Sequence, residues 1–125
     1  MKLLLDSHCL IWLLSDAPQL TDEARMLIAD AESVWFSDAS IWELGLKWRK
    51  GKIAVEPRRI ADQALKNGLR PLPIHLEALT TSCELQQTHA DPFNRLLYAQ
   101  AKSADYKLLS ADSELAKFGS VVLSI

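Results

Sequence analysis

The chain opens with an unbroken apolar run, Leu3-Leu4-Leu5, that ends on the carboxylate of Asp6. Consecutive apolar residues without alternation predict a short strand buried on both faces, as in a parallel sheet covered by helices. From Ser7 to Ser15 the spacing turns helical and apolar nearly all round, so this helix should be covered on several sides. Pro18 interrupts it, and Thr21 then caps a helix with Asp22 and Glu23 in its first turn and Ala24, Leu27, Ile28 and Ala31 at i, i+3, i+4 and i+7. Val34 to Ser37, β-branched and aromatic, predicts a second strand. Ser37 or Asp38 then caps a helix that stops at Gly51, with Ile41, Leu44, Gly45 and Trp48 sharing one face. Pro57, at a first helical position, opens a helix running to Asn67-Gly68. Pro71 and Pro73 confine the strand at Arg70 to Ile74 to a sheet edge. His75 to Gln87 reads as a helix with Leu76, Leu79 and Cys83 turned inward, and Asp91-Pro92 starts another that runs to about Ala104. Lys107 to Ser110 is a strand, Ser113 to Phe118 a short helix closed by Gly119, and Val121 to Leu123 a last strand. Strands alternating with helices argue for an α/β fold, a parallel sheet with helices on both faces.

Composition narrows the class. At 125 residues the chain fits one domain spanning 1–125, long enough to bury a core without staples. A hydrophobic fraction of 49% beside 24% charged residues favours neither disorder nor a membrane protein, and the apolar runs are far too short to cross a bilayer. No signal-peptide pattern follows Met1, so a cytoplasmic protein is expected. Cys9 and Cys83 lie far apart among apolar residues and are expected to be buried thiols rather than a disulfide. His8, His75 and His89 are scattered, leaving no Cys/His zinc pattern, so a bound metal would have to be held by oxygen. The net charge of −2 gives no overall attraction to nucleic acid. Lys47, Arg49, Lys50, Lys52, Arg58 and Arg59 nevertheless crowd a span in which Glu56 is the only acid. That run reads either as a solvated helix end complementing the dipole or as a phosphate-contacting patch.

The candidate chemistry lies in the acids. Asp6 ends the first strand, at the edge where open parallel sheets bind ligands, although a helix N-cap also wants Asp there and Ser7 could serve as well. Glu43, four residues before Lys47, reads on spacing alone as one half of a surface ion pair. Asp91 before Pro92 forms an N-cap and N1 pair. Asn94 shares its helix face with the apolar Leu97, Ala101 and Ala104, which turns a polar group in need of a partner toward the sheet. Asp112 either caps the short helix that follows or joins the other acids, and the Ser110 hydroxyl could orient a water or a neighbouring carboxylate. Gathered at one edge, such carboxylates would raise one another's pKa unless a divalent cation neutralised them. Oxygen ligation selects Mg²⁺ or Mn²⁺ over zinc, and such an ion suits hydrolysis of a phosphodiester, with Lys47, Arg49, Lys50 or Arg58 on the backbone.

Four ordered segments carry a resemblance: Leu3-Leu4-Leu5-Asp6-Ser7-His8 with the helix after it, Ser37-Asp38-Ala39-Ser40-Ile41-Trp42-Glu43, Asp91-Pro92-Phe93-Asn94-Arg95, and Leu108-Leu109-Ser110-Ala111-Asp112. In order and spacing, over essentially the whole length, the sequence resembles PIN-domain proteins of the VapC-like toxin family. The resemblance implies a three-layer α/β/α PIN-like fold around a central, mostly parallel sheet of four to five strands. It implies a Mg²⁺- or Mn²⁺-dependent ribonuclease, the toxin of a bacterial toxin–antitoxin pair, dimeric and inhibited by a small antitoxin. Carried over position by position, Asp6, Glu43 and Asp112 become the catalytic and metal-binding acids, with Ser7 and Ser110 in support. The family has a fourth aspartate where this chain has Asn94, which keeps the shape and one carbonyl oxygen but removes a charge. Asp91, one turn back, is the alternative ligand. A chain so altered could instead bind RNA or an antitoxin without efficient cleavage. The antitoxin is expected to insert a side chain into the acidic edge and to cover an apolar groove beside Trp12, Trp42 and Trp48, because four tryptophans exceed what so small a core needs.

Overall fold

The structure, a computed structural model describing residues 1–86 and 91–125, is built on a five-stranded parallel sheet. In chain order the elements are β1 (Lys2–Leu5), α1 (Ser7–Leu14), α2 (Asp22–Asp30), β2 (Ser33–Ser37), α3 (Asp38–Arg49) and α4 (Pro57–Lys66), then β3 (Arg70–Leu72), α5 (Leu76–Glu84), α6 (Pro92–Ser103), β4 (Lys107–Ser110), α7 (Ser113–Ala116) and β5 (Val122–Ser124). The strands lie in the order β3-β2-β1-β4-β5, every neighbouring pair parallel. The opening strand is therefore central: Leu4 is in register with Trp35 on one side and with Leu108 on the other.

Its apolar run serves both faces, because successive side chains of a strand point to opposite sides. Leu3 and Leu5 pack with Cys9, Leu10, Ala24, Leu44 and Ile60 from the first four helices, whereas Leu4 packs with Leu97, Tyr98 and Leu115 from α6 and α7. The outcome is the three-layer α/β/α arrangement. After β1 the chain winds outward through β2 to β3, then returns to lay β4 against the other side of β1. That reversal opens a crevice at the carboxyl ends of β1 and β4, the place where open α/β sheets accommodate ligands.

Most boundaries follow from local chemistry. Thr21 and Ser37 accept the capping N–H groups of Ala24 and Ala39, and Gly51 supplies the positive φ of 74° that ends the α3 region. The proline-bearing β3 takes an edge, as its missing N–H requires. Two expectations are corrected. α5 does not turn Leu76, Leu79 and Cys83 inward: Leu76 is 75% exposed, Leu79 42%, and Cys83 is exposed. Instead the small Ala78 meets Ala39 and Leu96, which lets the backbone of α5 approach closely and rotates the leucines outward. The expected end of this helix at Gln87, like His89, lies outside the described residues. In α1 only Ser7, Cys9 and Leu10 are buried, while Ile11 to Leu14 are half-buried, so the helix is covered on fewer sides than its composition suggests. Among the described residues no helix is long and apolar enough to cross a membrane.

Candidate active site at the carboxyl edge of the sheet

Asp6 joins strand, helix and crevice. Its N–H donates to the Leu109 carbonyl at 3.0 Å, extending the β1–β4 ladder by one bond. Its Oδ1 accepts the Cys9 N–H at 2.8 Å, capping α1. Its Oδ2 accepts the Ser110 hydroxyl at 2.7 Å and the Ala111 N–H at 3.3 Å. The cap and the sheet-edge acid are thus one residue, only 2% exposed. A buried carboxylate is tolerable on these terms, because each of its oxygens meets at least one donor.

The Ser110 hydroxyl accepts in turn from the Asp112 N–H at 3.0 Å, so a hydrogen-bonded chain links Asp112 to Asp6. Asp112 caps α7 through Oδ1, which accepts the Glu114 N–H at 2.9 Å, and its Oδ2 accepts from Nδ2 of Asn94 at 2.8 Å. On the opposite wall Glu43 is buried rather than on the surface. Its Oε1 accepts the Ser7 hydroxyl at 2.6 Å, and its Oε2 lies 3.3 Å from the Lys47 ammonium. The i, i+4 spacing does form its ion pair, but inside a cleft. Asp91 caps α6 by accepting the Phe93 N–H at 2.9 Å and lines the same cleft. Asp6, Glu43, Asp91, Asn94 and Asp112 all face this space of about 210 Å³, as do Ser7 and Lys47.

As a donor set these residues fit a hard divalent cation: four carboxylates and one amide, with oxygen available from each. Their present arrangement satisfies the acids by other means. Lys47 is drawn to Glu43 and the Asn94 amide to Asp112, and among the described residues no three His, Cys, Asp or Glu side chains are grouped so as to hold an ion. The neighbouring thiol contributes nothing to ligation. Burial, with the adjacent Asp6 charge adding to it, pushes Cys9 far above the ordinary thiol range, so it stays protonated.

The basic residues divide. Lys47 and Lys50 line a second cleft that adjoins the first, together with Lys52 and Phe93, and it shares Glu43 and Asp91 with the acidic cleft. Arg49 is exposed and lines neither cleft, since two residues along a helix are about 200° of rotation. Arg58 lines a separate cleft with Ile41, Trp48 and Asp62. The tryptophans are likewise dispersed, so the expected single groove is absent among the described residues. Trp12 stacks on His8 at 5.6 Å, Trp42 meets the edge of Phe93 at 5.4 Å, and Trp48 sits in the Arg58 cleft. Two participants had no role assigned from the sequence: His8 lines the acidic cleft and the Ala111 N–H reaches Asp6, while Lys52, part of the basic run, joins Lys47 and Lys50. His8 was findable, because the residues directly after a strand-end acid form the first turn of a helix that opens on the same edge.

The model of the family described as PIN domain matches residues 3–121. No curated protein sequence matches this chain. Among solved structures, it is similar to VapBC2 from Rickettsia felis, described as bound to a DNA fragment from its promoter, with 13% identity, a TM-score of 0.72 and coverage of 100% of this chain and 98% of that one. It is similar to a toxin–antitoxin complex from Klebsiella pneumoniae at 17% identity and a TM-score of 0.67, covering 97% and 95%. VapC20 from Mycobacterium tuberculosis, described as a sarcin-ricin loop cleaving toxin, matches at 14% identity and a TM-score of 0.67 over 94% and 95%. Identities this low establish a shared fold and nothing finer, but the family match runs through all four acidic segments. The chain belongs to the PIN domain family.

Proposed function

We propose that this chain, a single PIN domain spanning 1–125, is a cytoplasmic metal-dependent endoribonuclease and the toxin of a toxin–antitoxin pair. The observation that carries the reading is the hydrogen-bonded line from Asp112 through Ser110 to the buried Asp6, with Glu43 facing it across one cleft. PIN domains are generally nucleases and typically use divalent metals, and the similar structures named above include VapC toxins and a toxin–antitoxin complex. Asp6, Glu43 and Asp112, with the amide oxygen of Asn94, would hold Mg²⁺ or Mn²⁺, and Asp91 is the reserve ligand. Such an ion, when bound, supplies Lewis-acid neutralisation of a phosphodiester and lowers the pKa of water.

The chain's own residues do the positioning. Ser110 and the Cys9 and Ala111 N–H groups fix both oxygens of Asp6, and Ser7 fixes one oxygen of Glu43. Lys47, Lys50 and Lys52 would bind phosphates on the path leading into the cleft, with Arg49 and Arg58 meeting RNA farther out. A small antitoxin is the proposed inhibitor and a second copy the proposed dimer partner. The exposed Trp42, Leu76 and Leu79 offer apolar area for such contacts.

A second reading has its own observation. With Asn94 donating to Asp112 and Lys47 paired to Glu43, these two acids already have partners, as suits a catalytically weakened module that binds RNA or an antitoxin without efficient cleavage. Cleavage of RNA in Mn²⁺, in EDTA and by Asp6→Ala in Mn²⁺ tests both. Activity only in the first condition is expected. Equal activity in all three refutes the metal mechanism, and RNA binding without cleavage in any of them selects the second reading.

A further inference from the structure

The Lys47–Glu43 pair has a role beyond holding a helix together. Glu43 is bound on two sides of unequal character. Its Oε1 is held by the hydroxyl of Ser7, which is itself buried in the first turn of α1. Among the described residues its Oε2 is held by Lys47 alone, whose side chain is 34% exposed, against 10% for that of Glu43. A carboxylate so buried needs a cation or a strong donor at that oxygen. The lysine has the flexible four-carbon stem and the access to water that allow it to leave. It also has a destination, because Lys47 lines both the acidic cleft and the adjoining one with Lys50 and Lys52.

We propose that Lys47 is a built-in counter-cation that competes with the divalent ion for Glu43 and thereby sets the metal concentration at which the site loads. The proposal rests on the metal-site reading above and adds its regulation. A divalent ion taking Oε2 and an ammonium 3.3 Å from that oxygen repel each other, so loading expels Lys47. The second cleft is lined by Glu43 and Asp91 as well as by the three lysines, and once the metal has taken Glu43 the lysines there outnumber the remaining acid, an excess that a phosphate balances. Metal and phosphodiester therefore help each other to bind, and by linkage the help is mutual.

Calorimetric titration of Mn²⁺ into the full chain tests this without recourse to activity. Lys47→Met should tighten Mn²⁺ binding about fivefold, the factor a part-exposed ion pair can supply. Lys47→Arg, which grips a carboxylate with two N–H groups, should bind no tighter than the parent. Lys50→Met removes the same charge without touching Glu43 and should change affinity less than about twofold. Should the Met variant fold poorly, Lys47→Gln gives the same readout with a neutral donor in place. Unchanged or weaker binding in Lys47→Met, or an equal gain in Lys50→Met, overturns the competition while leaving intact a metal site that Asp6→Ala still abolishes. Mn²⁺ binding absent from the parent and from every variant overturns the metal site and this proposal together.

Discussion

The acids on the two walls of the cleft are compensated in different ways. On the sheet side, Asp6 is held by the Cys9 and Ala111 N–H groups and the buried Ser110 hydroxyl. These donors belong to the strand ends and helix starts and cannot move without unfolding them. On the opposite wall Glu43 takes part of its compensation from Lys47, a side chain on α3, as Asp112, beside Asp6, takes part of its own from Asn94 on α6. One wall fixes where charge sits; the other decides what answers it. The comparison teaches that an acid at such an edge can be structural and functional at once, and that exchange is to be sought only where the donor is a mobile side chain.

The comparison breaks most severely at Asp6. Asp6→Ala should abolish RNA cleavage and also strand the Cys9 and Ala111 N–H groups and the Ser110 hydroxyl, lowering stability by roughly 2–3 kcal/mol in a urea unfolding curve. Loss of activity with unchanged stability would show that this wall is not the fixed one. Next in size is Asn94→Asp, which replaces a donor to Asp112 with a carboxylate. It should tighten Mn²⁺ binding about tenfold or more by calorimetry and raise nuclease activity. Asp91→Asn retains an equally good cap and should change metal affinity little; a large loss would make Asp91 the working ligand. Ser110→Ala cuts the line between Asp112 and Asp6 and should cost about 1–2 kcal/mol of stability, less than Asp6→Ala because the two backbone donors to Asp6 remain. Smallest is Ser40→Ala in α3, where the buried hydroxyl has no hydrogen-bond partner among the described residues. Its removal should be neutral or stabilising by up to about 1 kcal/mol in thermal unfolding.

The fold was legible where the deciding chemistry is local. The Leu3–Leu5 run, the Thr21 and Ser37 caps and the prolines of β3 each state their element within a few residues. α5 was not legible, because Leu76 and Leu79 present a plausible inward stripe, and only the approach of Ala39 and Leu96 selects Ala78 instead. The sequence also singled out the acids that gather at the edge, Asp6, Asp91 and Asp112 by their places at strand ends and helix starts and Glu43 by the company of the others rather than by spacing. It could not say that Glu43 and its lysine partner sit together within a cleft, nor that Asn94 turns its amide nitrogen to Asp112, since both depend on which helices face one another across the sheet. For Asp6 and Asp112 the sequence posed a choice between cap and site; the geometry makes each of them a cap that also lines the cleft.

The central position of β1 has a consequence in time. The strand that carries Asp6 is made well before its partner on the Asp112 side, in which Leu109 pairs with Leu5 from about a hundred residues farther along the chain. Contacts so distant along the chain form late, after the loop between them has been closed. Until residues 107–112 have emerged, Asp6 lacks Ser110 and the Ala111 N–H, and no cleft exists between the two strands. The acidic edge therefore assembles only once β4 has joined β1.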